Sequence, residues 1–263
     1  MAGLTIATER LTVHGIDLEV LRGGQGSPIV LLHGMRSLTA ASLFPALLAT
    51  YSSVLAPSCP GFGGSKRPKD LDTIYDLVHL QRAVLDAVPG DNITLVGLSF
   101  GGWLAAEVAA AGHPRLARLV LVDPVVIKIG DRETADIVDV FNRSPNEVRR
   151  AAWHDPDRFA PDFDEMEDED IIRHARDWEA LCLYAWHPYM YNPQLNRWLG
   201  RIAVPTLVVW GESDGIVTPA YGRAFAGLIP GARFETIAGA GHHPEVEQPE
   251  ALSQRIAPFM RES

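Results

Sequence analysis

Several short runs in this chain are apolar at nearly every position, and such a run has no polar face to offer to solvent. They are Pro28-Ile29-Val30-Leu31-Leu32, Ser53–Ala56, Ile93–Val96, Leu119–Val122 and Thr206–Trp210. As strands they require cover on both sides, which a parallel sheet between two helical layers provides. Helical patterns separate them at Thr39–Thr50, Thr73–Val88, Phe100–Ala111, Pro219–Leu228 and after Pro249. A hairpin, Leu11–His14 and Leu18–Leu21 turning at Gly15, precedes them, and a short strand, Arg233–Ile237, follows. The alternation predicts a doubly wound α/β domain with a mostly parallel sheet. At 263 residues this is one large domain, or one domain with an insertion.

One interval breaks the rhythm. About 80 residues separate Asp123 from Val204, where connections in such folds have roughly 2–6. Four helical stretches fall inside it, at Arg132–Asn142, Asn146–His154, Asp168–Trp186 and Pro193–Leu199. In the third, Ile171, Ala175, Trp178 and Cys182 recur at helical spacing and form one apolar face. The expected division is a core of residues 1–124 and 200–263, with a helical lid at 125–199 over the carboxyl ends of the strands, where open α/β sheets place ligands.

Composition limits the partners. Apolar residues at 47% and charged residues at 21% exclude wholesale disorder. A net charge of −10 argues against nucleic acid and anionic membrane surfaces, which both call for a basic footprint. Ile93–Gly112 is mostly apolar, but Ser99, Glu107 and its glycines mark a strand running into a helix and not a membrane span. Two cysteines, Cys59 and Cys182, make no disulfide framework and fit free thiols in a reducing compartment. The first residues, Met1-Ala2-Gly3-Leu4-Thr5-Ile6, lack the pattern of a secretory leader. The expectation is a cytoplasmic protein, monomeric or homodimeric.

The chemistry centres on Gly97-Leu98-Ser99-Phe100-Gly101-Gly102. A G-x-S-x-G match alone says little, but this serine falls where an apolar strand meets a helix, the setting of a nucleophile elbow. There the glycines two residues before and after the serine approach too closely to carry a Cβ. A serine hydroxyl needs a base, and the base needs an orienting acid. Asp214, in Gly211-Glu212-Ser213-Asp214 after one strand, supplies the acid, with Asp123 at the end of Leu119–Val122 as the competing candidate and Glu212 as a weaker one. The base lies in Gly239-Ala240-Gly241-His242-His243-Pro244 after the next strand. Of the neighbouring histidines, His242 is preferred, because Gly241 lets the loop carry it inward and Pro244 holds His243 extended.

With His33-Gly34-Met35, Pro60-Gly61-Phe62-Gly63-Gly64-Ser65, Gly97–Gly102, Trp210–Asp214 and Gly241–Glu245 together, the chain resembles the α/β-hydrolase fold family, as a serine hydrolase with a helical lid. The resemblance implies that the backbone N–H groups of Met35 and Phe100 form the oxyanion hole. Two fixed donors there stabilise the charge that acyl transfer builds on a carbonyl oxygen. His33 suits a structural role at a strand end; with Gly34 it is also placed among the substrate contacts.

Nine of the chain's 21 aromatic residues fall in Trp153–Trp198, and Trp178, Trp186 and Tyr189 are the expected substrate contacts from this set. An aromatic pocket suits a small hydrophobic carboxylic ester as substrate. Arg149-Arg150 and Arg173/Arg176 read as solvated helix faces. Asp162–Asp170 carries seven acidic residues in nine but lacks the glycine of a calcium loop, and no His-Glu-x-x-His occurs, so neither metal nor organic cofactor is expected. The expected activity is carboxylesterase-like. The same constellation also serves carbon–carbon bond or lactone hydrolysis, or a ligand receptor that keeps the triad.

Overall fold

In the computed structural model, which describes residues 6–131 and 133–262, the apolar runs line up as one sheet. Its eight strands are β1 (Ala7–Val13), β2 (Ile16–Gly23), β3 (Pro28–Leu32), β4 (Ser53–Pro57), β5 (Ile93–Leu98), β6 (Leu116–Val122), β7 (Thr206–Gly211) and β8 (Arg233–Ile237). Their spatial order is β1-β2-β4-β3-β5-β6-β7-β8; β2 pairs antiparallel with both β1 and β4, and the other pairings are parallel. Every residue of β3, β5 and β7 is buried, as strands covered on both faces must be.

The helices are α1 (Leu43–Leu48), α2 (Ile74–Ala87), α3 (Phe100–Ala111), α4 (Pro145–Ala152), α5 (Pro156–Phe159), α6 (Asp168–Ala185), α7 (Pro219–Ala226), α8 (Pro244–Glu247) and α9 (Pro249–Phe259). Successive strand residues point to opposite faces, so Val30 and Leu32 join α2, α3 and α7 in one core while Ile29 and Leu31 join α1 and α9 in the other. This is the α/β-hydrolase fold. Among the described residues, no helix is long and apolar enough to cross a membrane.

Some helices differ from the sequence pattern, for local reasons. α1 covers only Leu43–Leu48 of the expected Thr39–Thr50. Pro45 has no N–H to give, and it is tolerated only in a first turn, so the helix begins just ahead of it. The expected helix Arg132–Asn142 is absent among the described residues; Arg132 itself lies outside them. Asp131 accepts the N–H groups of Glu133 and Thr134, Asp136 those of Ile129 and Gly130, and Asp139 those of Phe141 and Asn142. Short carboxylates that bind nearby backbone N–H groups compete with a helix. Pro193–Leu199 gives single 3-10 turns at Leu195–Arg197 and Leu199–Arg201.

α6 buries a face other than the apolar one read along its sequence. Its buried residues are Asp177, Ala180, Leu181, Tyr184 and Ala185, whereas Ile171 and Ala175 are exposed and Trp178 and Cys182 half-buried. The helix is fastened by polar contacts. The Asp177 carboxylate accepts from Ser37 N at 2.7 Å, Ser37 Oγ at 2.8 Å and Gly63 N at 2.8 Å. Tyr184 Oη donates toward Pro60 O at 3.1 Å. Arg173 is no solvated face: it pairs with Glu19 at 3.0 Å. Arg150 and Arg176 are exposed as expected, and Arg149 pairs at the surface with the exposed Asp157 at 2.9 Å.

Three donors converge on the Asp177 carboxylate, so truncating it leaves buried N–H groups without a partner. Asp177→Ala should lower stability by about 3 kcal/mol. Calorimetry should therefore record a fall in Tm of about 6–12 °C for a chain of this size; an unchanged Tm would show that α6 is held by apolar packing alone.

Candidate active site

Strand β5 passes into α3 through Ser99, whose backbone stands at φ 46° and ψ −110°, a conformation that costs a non-glycine residue strain. The turn is possible because its neighbours are bare. A Cβ on Gly97 would stand 2.7 Å from Gly102 Cα and 2.8 Å from Ala105 Cβ, and one on Gly101 would collide with the carbonyls of Leu32 and His33. Ser99 is thereby held at the carboxyl edge of the sheet with its side chain nearly buried.

The loops after β7 and β8 bring two more side chains to this edge. Ser99 Oγ lies 2.7 Å from His242 Nε2, and His242 Nδ1 lies 2.8 Å from Asp214 Oδ2. The second oxygen of Asp214 accepts from Ile216 N at 2.8 Å and Val217 N at 3.1 Å, which fixes the carboxylate in its own loop. Because Asp214 accepts from Nδ1–H, Nε2 is left to accept the serine proton. Burial disfavours charge on His242, but the charge of Asp214 and the hydrogen bond to it outweigh burial and raise the pKa above the usual imidazole value.

The competing acid, Asp123, is a near neighbour and does not orient the histidine. It accepts from Gly211 N at 2.9 Å through Oδ1, while Oδ2 is buried without a donor. Burial first, and then the charge of Asp214, push its carboxyl well above the usual carboxylate range. Protonated, Oδ2 becomes a donor, and Asp214 is the acceptor beside it. Asp123, Asp214 and His242 each offer a ligand atom within 4.8 Å of the others, a spacing a metal could use. Both ring nitrogens of His242 are, however, engaged by Asp214 and Ser99. The other candidate acid, Glu212, accepts instead from Thr236 Oγ1 at 3.0 Å.

The remaining residues divide. Among the described residues, neither Met35 N nor Phe100 N has an acceptor in the protein; Phe100 opens α3, where a helix leaves its N–H groups unpaired. Gly34 packs against Ser99, 3.3 Å from its Cβ if it carried one of its own. His33 does not face a cavity. Its Nε2 accepts from Cys59 N at 2.9 Å and Nδ1 donates to Gly34 O at 2.8 Å, which makes it a buried neutral brace. Tyr189 is likewise occupied, accepting from Val140 N at 2.7 Å and donating to Val138 O at 2.8 Å. Cys59 offers no alternative nucleophile, because burial pushes its thiol up to about 12.

Two cavities flank the site. The larger, about 1090 Å³, has Trp178, Trp186, Phe141, Trp153, Met35 and His243 in its wall. Ser99 and His242 are not part of that wall; Met35, whose N–H is an expected oxyanion donor, and His243, which follows His242, are. The apolar face read along α6 lines this space through Ala175, Trp178 and Cys182. A smaller cavity, about 400 Å³, adjoins Ser37, Thr39, Asp177, Arg173 and Glu245.

Sequence reading missed two contributors, Glu247 and Arg36, and expected a different backbone conformation at His243. Glu247, buried, accepts from Gly241 N at 2.6 Å and from His154 N and Asp155 N at 2.9 Å each, tying the histidine loop to the segment after α4. His243 stacks on Trp153 at 4.5 Å, and its ψ of 57° is short of the extended conformation expected before Pro244. Arg36 stands in the walls of both cavities. None of these belongs to a periodic pattern, so only three-dimensional proximity identifies them.

A profile of the Alpha/beta hydrolase family matches residues 29–255. The 2-hydroxymuconate semialdehyde hydrolase of a Pseudomonas species is 29% identical over 267 aligned residues, covering 95% of this chain and 92% of that one. Among solved structures, the 2-hydroxy-6-oxo-6-phenylhexa-2,4-dienoate hydrolase of a Rhodococcus species superposes with a TM-score of 0.77 at 21% identity, covering 98% of this chain and 100% of the other. An esterase from Exiguobacterium antarcticum superposes with a TM-score of 0.73 at 18% identity, covering 100% of both chains. At such identities the two superpositions establish the fold alone.

The electrostatics can be tested without a substrate. By proton NMR, His242 should titrate above the ordinary value of about 6.5. In Asp214→Asn it should titrate lower than in wild type, because desolvation is then opposed only by the charge of Glu245. A midpoint that does not move would separate His242 from Asp214. An infrared pH titration of wild type against Asp123→Asn should keep the band of a protonated carboxyl at pH above the ordinary carboxylate value of about 3.9; a carboxylate band already formed at that pH would contradict the raised value.

Proposed function

Because the chain belongs to the Alpha/beta hydrolase family, we propose that it is a serine hydrolase that cleaves a small, largely apolar carboxylic ester by two-step acyl transfer. One observation carries this reading: the chain of contacts from Ser99 Oγ through His242 to Asp214, at 2.7 and 2.8 Å. Ser99 Oγ adds to the carbonyl carbon as its proton passes to His242 Nε2, and Asp214 stabilises the imidazolium. The unengaged N–H groups of Met35 and Phe100 are suited to receive the oxyanion. Collapse breaks the carbon–oxygen bond, and His242 returns the proton to the departing alkoxide. Water, deprotonated by His242, then releases the acid and restores Ser99.

The segment between β6 and β7 serves in this reading as a lid. Its aromatic wall of Trp178 and Trp186 favours an apolar acyl chain, and no cofactor is called for. A second reading is favoured by the relative at 29% identity, whose named substrate, a hydroxymuconate semialdehyde, contains no ester. The same nucleophile acting on a ketone with a stabilised carbanion as leaving group would break a carbon–carbon bond.

Steady-state assays on p-nitrophenyl acetate through octanoate, beside a 2-hydroxy-6-oxo-dienoate, distinguish the two readings. Ester turnover with many cycles per enzyme is expected. Ser99→Ala should lower kcat by at least about 10³-fold with the fold intact. kcat/KM should rise with pH as His242 loses its proton, with a midpoint above about 6.5. Turnover of the dienoate alone would favour the second reading. A single slow turnover would favour a ligand receptor, and full activity in Ser99→Ala would remove the serine from the mechanism.

A further inference from the structure

Arg36 follows Met35 directly in the loop after β3, so its backbone adjoins the N–H assigned above to the oxyanion. Its guanidinium lies over the Trp153 ring, 5.2 Å from the centroid, and it contributes to the walls of both cavities. Among the described residues it makes no hydrogen bond and no ion pair. Its nearest countercharges are Glu245 and Asp177, and both are engaged elsewhere. Glu245 faces His243 Nδ1 at 3.2 Å, and Asp177 accepts from Ser37 and Gly63.

The other cations at the larger cavity are occupied. Arg149 pairs with Asp157 at 2.9 Å and Arg143 approaches Glu147 at 3.8 Å. At the smaller cavity Arg173 is held by Glu19 at 3.0 Å. His174 lies in both walls, and burial holds its imidazole below the usual range, so it adds no fixed positive charge. The acidic residues of the walls, Asp157, Asp162, Asp164 and Asp170, supply no carboxylate within ion-pair reach of Arg36. A planar fork of donors is therefore left without a partner in the walls of two open clefts, on the residue that follows Met35, and it matches a carboxylate in shape and charge.

We propose that Arg36 is the recognition point for a carboxylate borne by the substrate, so that the ester hydrolysed is a half-ester of a dicarboxylic acid. The chain between the two carbonyl carbons would cross the aromatic wall while the carboxylate meets the guanidinium over Trp153. The inference deepens the acyl-transfer reading and rests on it for the position of the scissile bond.

The test compares p-nitrophenyl hydrogen adipate with p-nitrophenyl methyl adipate, which differ only in the remote charge. Wild type should prefer the free acid by about tenfold or more in kcat/KM. In Arg36→Met that ratio should fall by about 10- to 100-fold, and Arg36→Lys should recover part of it. Equal rates for the two esters in wild type, or an unmoved ratio in Arg36→Met, would overturn the proposal and assign Arg36 to packing against Trp153. Calorimetric titration of Ser99→Ala with adipate reads the subsite without turnover: binding that is lost in Ser99→Ala/Arg36→Met supports it, and absence of binding counts against it. Should Arg36→Met fail to fold, the wild-type ester pair and the adipate titration decide. Wild type that turns over neither ester while Ser99→Ala binds adipate would refute the acyl-transfer reading and leave the anion subsite standing.

Discussion

Where β5 gives way to α3, the chain must turn with no room for a side chain on either flank of Ser99. A Cβ at Gly97 would press on Gly102 and Ala105, and one at Gly101 on the end of β3. The strained φ of Ser99 persists because the parallel pairing of β5 with β3 and β6 fixes the approach, and the buried helix α3 fixes the departure. A nucleophile on such a turn is held by the whole sheet, so its position does not depend on the mobility of a loop. The other two members of the site come from loops, which must be fastened to meet it.

That fastening runs largely through backbone contacts. His242 N donates to Ala152 O at 2.7 Å and Gly215 N to Ala151 O at 2.9 Å, so the end of α4 braces both the histidine and the acid loops. Glu247 adds its contacts to Gly241, His154 and Asp155 from inside α8. A Cβ on Gly211 would collide with the carbonyls of Gly241 and Ala240, and one on Gly241 with Ala152 O and the backbone of Trp153 and His154. The segment between β6 and β7 therefore also sets the geometry of the loops that carry Asp214 and His242, and a change in α4 would reach His242 without touching its side chain.

Much of this was legible in the sequence because strand ends in an α/β sheet are marked by chemistry. β3, α3 and β8 have the bounds their apolar runs and flanking glycines or prolines suggest. Ser99, Asp214 and His242, singled out by residue type and position after strands, are linked by hydrogen-bond contacts through the His242 ring. What escaped depended on contacts with no period. The stretch before Asn142 has helical composition, yet Asp131, Asp136 and Asp139 bind local N–H groups in preference to a helix. Tyr189 looked like a pocket wall and is tied to the backbone of Val138 and Val140. Arg36 carries no motif, and its isolation from any partner exists only in three dimensions.

The central claim is that Ser99 is a nucleophile made reactive by His242. It is tested most directly by treating the protein with a fluorophosphonate and locating the adduct by intact-mass and peptide mass spectrometry. A single stoichiometric adduct on Ser99, formed at least about 10³-fold more slowly in His242→Ala, is the predicted result. An adduct on another residue, or one on Ser99 that forms as fast without the imidazole, would contradict it.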